Sequence, residues 1–275
     1  MKKLIAFLKS PVGVALAALV AAGSFAAIAS ASHSWENYHW ARTANPFTLK
    51  LGDNVTSAWD SHLGLASSDW NVSEALDTNV VTGGTTAKRC RPTSGRVEVC
   101  NAKYGNNGWL GIAQIWISGS HITQSIVKLN DTYFSRSPYN TAPWRQMVMC
   151  QEVGHTFGLD HQDEDFGNAN LGTCMDYTSN PVGPLSNEHP NAHDFGQLET
   201  IYSHLDETTT VLSGAPSNRN GRNLDLNFEI PRTTDPEELR AFGEELRRDA
   251  QNRVSLYVRD LGLGQKVFTF VTWAE

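Results

Sequence analysis

Cys150-Gln151-Glu152-Val153-Gly154-His155-Thr156-Phe157-Gly158-Leu159-Asp160-His161 is the stretch on which the fold turns. From Gln151 to His161 it reads Q-E-x-x-H-x-x-G-x-x-H. On an α-helix, residues four apart stack on one face, so Gln151 and His155 can address one ion. Glu152 lies one step round the helix, placed to take a proton from a metal-bound water rather than to bind the metal itself. Gly158 follows His155 by three residues, where a glycine ends a helix in left-handed backbone that a Cβ disfavours. The chain can then turn and return His161 to the same ion. Three protein ligands would leave a fourth position for water, the open arrangement of a catalytic zinc site.

With a histidine at 151 the stretch would be the extended zinc signature H-E-x-x-H-x-x-G-x-x-H. It resembles that of the metzincin metallopeptidases, and Gly154 to His161 is similar to matrixin-like catalytic domains. Met175 follows His161 by fourteen residues, in Cys174-Met175-Asp176-Tyr177. This resembles the tight Met-turn of the clan in its astacin and serralysin form, Met-x-Tyr. The resemblance rests on motifs covering about 30 residues, extended by the order of elements to roughly 165 more. It implies an α/β (α+β) zincin-like domain: a twisted mixed sheet, a metal-binding helix, a Met-turn and a C-terminal helix. It implies zinc, held by His155 and His161 with Gln151 as a third ligand. Glu152 would be the general base, and the Tyr177 hydroxyl would reach the metal or the reacting carbonyl. The substrate would be a protein or peptide lying extended along an edge strand. Gln151 is the departure, because an amide oxygen is a weaker and harder ligand than imidazole. Either Gln151 Oε1 binds the ion, or a water takes its place, or the metal is lost and the domain is an inactive binding module.

The 275 residues carry a formal charge of −7. Lys2, Lys3 and Lys9 precede an Ala-rich apolar run from Pro11 to Ile28, and Ala29-Ser30-Ala31 reads as a cleavage site, so residues 1–31 are expected to be a signal peptide. An uncleaved anchor is the rival reading. Losing three lysines and no acid takes the charge to −10, which argues against nucleic acid or anionic membrane as partner. A secreted monomer with no stable membrane anchor is expected. The four cysteines are an even number for an oxidising compartment. Cys90 and Cys100 bracket a turn-rich loop. A Cys150–Cys174 bridge would staple the metal helix to the Met-x-Tyr segment, worth about 3 kcal/mol; free thiols or a cysteine ligand are the alternatives.

Along the chain, residues 32–212 are expected to form the catalytic domain, 213–234 a linker and 235–275 an αββ appendage. Phe47 to Leu51 alternates as a strand, and Asp53 caps an expected helix from Asn54 to Leu63. Asp77 to Thr82 and Arg96 to Cys100 read as strands, paired as a hairpin across the cysteine loop. Ile112 to Ile117 and Ile122 to Leu129 are two more, one of them the sheet edge above the cleft. Pro143 opens the metal helix. His193 to Leu205 is helical. Asp235-Pro236-Glu237-Glu238 opens a helix ending near Ala250, followed by strands Val254 to Val258 and Val267 to Trp273. The Glu/Arg run of that helix reads as a solvated face, without a chemical motif. Asp160, Asp163, Glu164, Asp165, Asn168 and Asn170 make an acidic loop and a candidate calcium site. His62, His121, His189 and His193 lack ligand spacing, although His189 or His193 could stand in for the missing imidazole. Asn54, Asn71 and Asn130 open glycosylation sequons. Residues 32–45 hold no cysteine and are too few for a folded propeptide, so latency by a cysteine switch is not expected.

Overall fold

The computed structural model describes residues 33–211 and 240–275. The leader, the linker at 213–234 and the start of the expected tail helix lie outside the described residues. Alternating side chains in Phe47–Asn54 bury one set and expose the other, giving strand β2 after a two-residue β1 (His39–Trp40). Helix α1 (Asp60–Trp70) leads to β3 (Leu76–Thr82) and β4 (Val97–Ala102). Strands β5 (Trp109–Ser118) and β6 (His121–Asn130) form a hairpin about Gly119-Ser120, followed by the short α2 (Asp131–Phe134). Helix α3 (Ala142–His155) has Pro143 in its first turn, and α4 (Ala192–Ile201) opens on an Asn191–Asp194 capping box. A 3-10 turn (Arg240–Phe242) then precedes β7 (Glu244–Arg248), β8 (Val254–Gly262) and β9 (Gln265–Trp273).

These strands make one mixed sheet in the order β3-β2-β4-β6-β5-β9-β8-β7, with β1 paired to β6. Strands β2, β3, β4 and β6 run parallel, and β5, β9, β8 and β7 join by antiparallel pairing. The main core lies against α1 and α3, and α3 is buried from Gln146 to His155. A helix buried all round needs close neighbours. Gly154 allows one: a Cβ there would lie 2.6 Å from Met175 Sδ and 2.7 Å from the Trp70 ring. Gly158, at φ +103°, ends the helical segment as expected. Both expected disulfides, Cys90–Cys100 and Cys150–Cys174, are present.

Four expectations are corrected. Residues 54–59 are not helical: Asp53 Oδ1 accepts from Val55 N–H and Asn101 Oδ1 from Thr56 N–H, holding a turn that delays the helix to Asp60. Strands β3 and β4 do not pair as a hairpin; both lie parallel beside β2. The described part of the expected tail helix is β7, because pairing with β8 overrides the helical propensity of its Glu and Arg residues, so the appendage is not αββ. And β5 is not an edge: β9 pairs along it from Trp109↔Trp273 to Ser118↔Gln265. Of the sequons, Asn130 is fully buried and donates to Asn107 and to the Gly105 and Trp109 carbonyls, which leaves no room for a glycan. Among the described residues no helix is long and apolar enough to cross a membrane.

Lys128 on β6 is 3 % exposed, and burial brings its ammonium down from 10.5 to about 7. Between those values the unfolded chain holds a proton that the folded chain has released. Stability therefore rises with pH across that window, and the burial cost is fully present below it. Lys128→Met is expected to stabilise the protein at pH 6 by on the order of 2 kcal/mol and to flatten the rise. Urea melts at pH 6 and pH 10 read both effects.

Candidate metal centre

Helix α3 brings His155 to the floor of the sheet, and the turn at Gly158 returns His161 beside it. Their Nε2 atoms lie 2.9 Å apart with the rings edge to face. His155 Nδ1 lies 2.9 Å from the Leu159 carbonyl, which can only accept, so Nδ1 carries the proton. His161 Nδ1 lies 2.6 Å from Glu164 Oε1 and donates in the same way. In the neutral rings both Nε2 atoms are then lone pairs aimed at one point, an arrangement that calls for a cation or a shared proton between them. Burial, and next the neighbouring His161, hold His155 well below the ordinary imidazole range. The pair fits a zinc ion by tautomer, by second partners and by ligand type.

Glu152, also on α3, is fully buried against Gly111 of β5, where a Cβ would meet its Oε1 at 2.4 Å. Neither of its carboxylate oxygens has a hydrogen-bond partner. Burial pushes its carboxyl up to about 8, with Thr272 acting weakly the other way. Gln151 is engaged at both ends: Nε2 donates to the Cys174 carbonyl at 2.9 Å, and Oε1 accepts from the Thr272 hydroxyl at 2.6 Å. Met175 packs under α3 at Gly154. Tyr177 packs its ring at 4.5 Å from His161, and its hydroxyl donates to the Val271 carbonyl at 3.0 Å. Burial first, then the carboxylates of Glu164 and Glu152, raise that hydroxyl well above the usual phenol range. His189 pairs with Asp69, and His193 stacks on His33 and meets Gln162, so these partners account for neither as a substitute imidazole.

Strand β9 runs through this site. Phe270 stacks on His155 at 4.2 Å and 12°, Val271 offers its carbonyl to Tyr177, and Thr272 caps Gln151. Each of three consecutive residues thus touches a residue singled out in the sequence. Strand β7 reaches the second layer. Arg247 forms a bidentate pair with Asp160, and its Nε lies 3.0 Å from Glu164 Oε1. Ser255 of β8 donates to Glu164 Oε2 at 3.0 Å. Burial opposes ionisation of Glu164, but the hydrogen bond and charge of His161, then Arg247 and Ser255, bring it down to about 2. Arg247 is therefore not on a solvated helix face. It also answers the acidic loop, since Asp160 and Glu164 are paired, while Asp163 and Asp165 accept backbone N–H groups of Asp165 and Gly167. The calcium expectation thus finds these carboxylates already engaged. Phe270, Thr272, Arg247 and Glu164 were not singled out for this site in the sequence. The visible signal was the alternation of Val267 to Trp273, which marks a strand and says nothing of where it docks.

Gln151→Ala is expected to change zinc affinity little in the folded chain, because the Thr272 hydroxyl engages the amide oxygen; Gln151→His is expected to raise it by about tenfold or more. Titration of zinc into the three metal-stripped proteins decides this. A large loss in the Ala variant would make Gln151 a ligand.

No family model matches the chain, and no curated protein does. Among solved structures it is similar to myroilysin, in two structures. One is 14 % identical with a TM-score of 0.35, covering 58 % of this chain and 82 % of that one; the other is 13 % identical at 0.34, covering 59 % and 86 %. High choriolytic enzyme 1, a hatching enzyme zinc-protease from Oryzias latipes (Medaka fish), is 10 % identical at a TM-score of 0.34, covering 60 % of this chain and 94 % of that one. At this level of likeness no site residue is assigned by comparison, and the geometry above stands on its own.

Proposed function

We propose that the chain is an exported zinc-dependent metallopeptidase, held shut in this fold by its own strand β9. The observation that carries the reading is the His155–His161 pair. Two imidazole Nε2 atoms face each other at 2.9 Å, each ring fixed by an acceptor on Nδ1, beside the unpartnered Glu152 carboxyl. Zinc, when bound by His155 and His161, polarises the scissile carbonyl and acidifies water. Glu152 takes the proton of the attacking water and passes it to the leaving amine as the C–N bond breaks. Tyr177 donates to the carbonyl oxygen of the substrate, as it now does to Val271. Strand β5 holds the substrate extended by main-chain pairing, in the place that β9 occupies. Gly111 leaves the room in β5 that Glu152 needs.

The disulfides, the apolar leader and the motif's resemblance to metzincins support export and peptide substrates. One observation favours a second reading. Gln151 is engaged at both ends and the whole site is buried, as in a binding module that no longer turns over substrate. Metal analysis of the full chain separates these at the first step. The peptidase reading requires zinc bound at a site abolished by His155→Ala and by His161→Ala; absence of any such zinc would leave the binding module.

A further inference from the structure

Away from this centre, three histidines and one aspartate converge from three parts of the chain. His39 belongs to β1, His121 begins β6, and His204 and Asp206 follow α4. His39 Nε2 lies 3.3 Å, His121 Nε2 3.2 Å and His204 Nε2 3.8 Å from the same oxygen, Asp206 Oδ1. His204 Nε2 lies 3.2 Å from His39 Nε2. The rings meet edge to face, at 80° for His39 and His121 and at 88° for His39 and His204. Donors on a tetrahedral zinc ion with bonds near 2.0 Å stand about 3.3 Å apart, so the separations among His39, His204 and Asp206 suit one shared ion, with His121 set against the same Asp206 oxygen.

The protons point the same way. His39 Nδ1 lies 2.7 Å from the Asn37 carbonyl, an acceptor, so that nitrogen carries the hydrogen. In the neutral ring, Nε2 is then a lone pair facing a carboxylate oxygen, which repels unless a cation or an added proton intervenes. The second partners are those of a metal site too. Asp206 Oδ2 accepts from Arg42 Nη1 at 2.8 Å and from Arg42 N–H at 3.1 Å, which fixes the carboxylate and leaves Oδ1 for the cluster. His39 is buried and the Asp206 side chain is 10 % exposed, whereas the side chains of His121 and His204 are 33 % and 52 % exposed, giving an ion a way in.

We propose that His39, His204 and Asp206 form a second divalent-cation site, of zinc type, which fastens β1 to the segment after α4, with His121 holding Asp206 Oδ1 from the side. Two imidazoles and one carboxylate favour zinc or another late first-row ion over calcium or magnesium. The site stands apart from His155 and His161 and does not depend on catalysis.

The test is zinc stoichiometry of the chelator-stripped full chain, read by native mass spectrometry, with cobalt absorption reporting coordination. His155→Ala isolates the second site, which is expected to take one zinc and to give the visible bands of a tetrahedral cobalt ion. Adding His204→Ala, on a partly exposed ring, is expected to weaken that zinc by about 100-fold without unfolding the chain. The proposal is overturned if His155→Ala binds no zinc, or if removing His204 leaves the affinity unchanged. It is equally overturned if nitrogen-15 spectra of the zinc-saturated chain show His39 as a doubly protonated ring, because a proton rather than a metal would then hold the cluster. Loss of the His155–His161 zinc alone would touch only the peptidase reading.

Discussion

Phe268→Ala in the full chain is expected to raise zinc-dependent peptide hydrolysis by about 100-fold or more, from a near-silent wild type. The Phe268 ring packs against Trp35 at 4.9 Å and Tyr38 at 5.0 Å. Truncating a buried phenylalanine costs about 3–5 kcal/mol. If that loss falls on the docking of β9, the opened fraction grows by about two to four powers of ten. Two controls keep the expectation sharp. Gln114 and Thr269 face each other across β5 and β9 with a side-chain hydrogen bond of 3.2 Å. A disulfide between Gln114→Cys and Thr269→Cys should silence the Phe268→Ala chain again. A synthetic peptide of residues 265–273, added in trans, should inhibit that chain. If wild type already hydrolyses as fast as Phe268→Ala, β9 is not a block, although the peptidase reading would stand. If the variant opens β9 by amide exchange and binds the peptide, yet hydrolyses nothing, the peptidase reading fails instead.

Glu152→Gln in the opened Phe268→Ala chain is expected to lower kcat by about 10²–10⁴-fold with zinc still bound. The amide keeps the shape of the side chain but cannot accept and return the proton, so the loss should fall on kcat rather than on KM. In the closed wild type the same substitution replaces a buried, unpartnered carboxyl with a neutral group. Its stability should therefore not fall, and a thermal melt checks this beside the kinetics. Equal kcat in the two opened chains would remove Glu152 from the mechanism.

The sequence made α3 legible because its signals are local: helical spacing, Pro143 at the start and Gly158 at the end. The two disulfides were legible for the same reason, each pair lying close to one motif or one loop. What escaped was non-local. Glu244 to Arg248 has helical propensity, and only the partner strand β8 and the ion pairs of Arg247 make it extended. Nothing in residues 265–273 says that they pair with a strand some 150 positions earlier rather than with each other's neighbours alone. The cluster around Asp206 escaped for a related reason. Its members come from positions 39, 121, 204 and 206, with no fixed spacing to read, and β1 pairing with β6 is what sets His39 opposite His121.

Strand β5, Trp109-Leu110-Gly111-Ile112-Ala113-Gln114-Ile115-Trp116-Ile117-Ser118, has no charge and no proline. Bare, it would be a flat template of the kind that recruits other chains into cross-β aggregates. In the closed molecule the sheet ends instead on β7, whose Glu244, Glu245, Arg247 and Arg248 make a charged border. An opened molecule therefore trades solubility for access, and its working life in solution should be bounded by self-association wherever no peptide occupies β5.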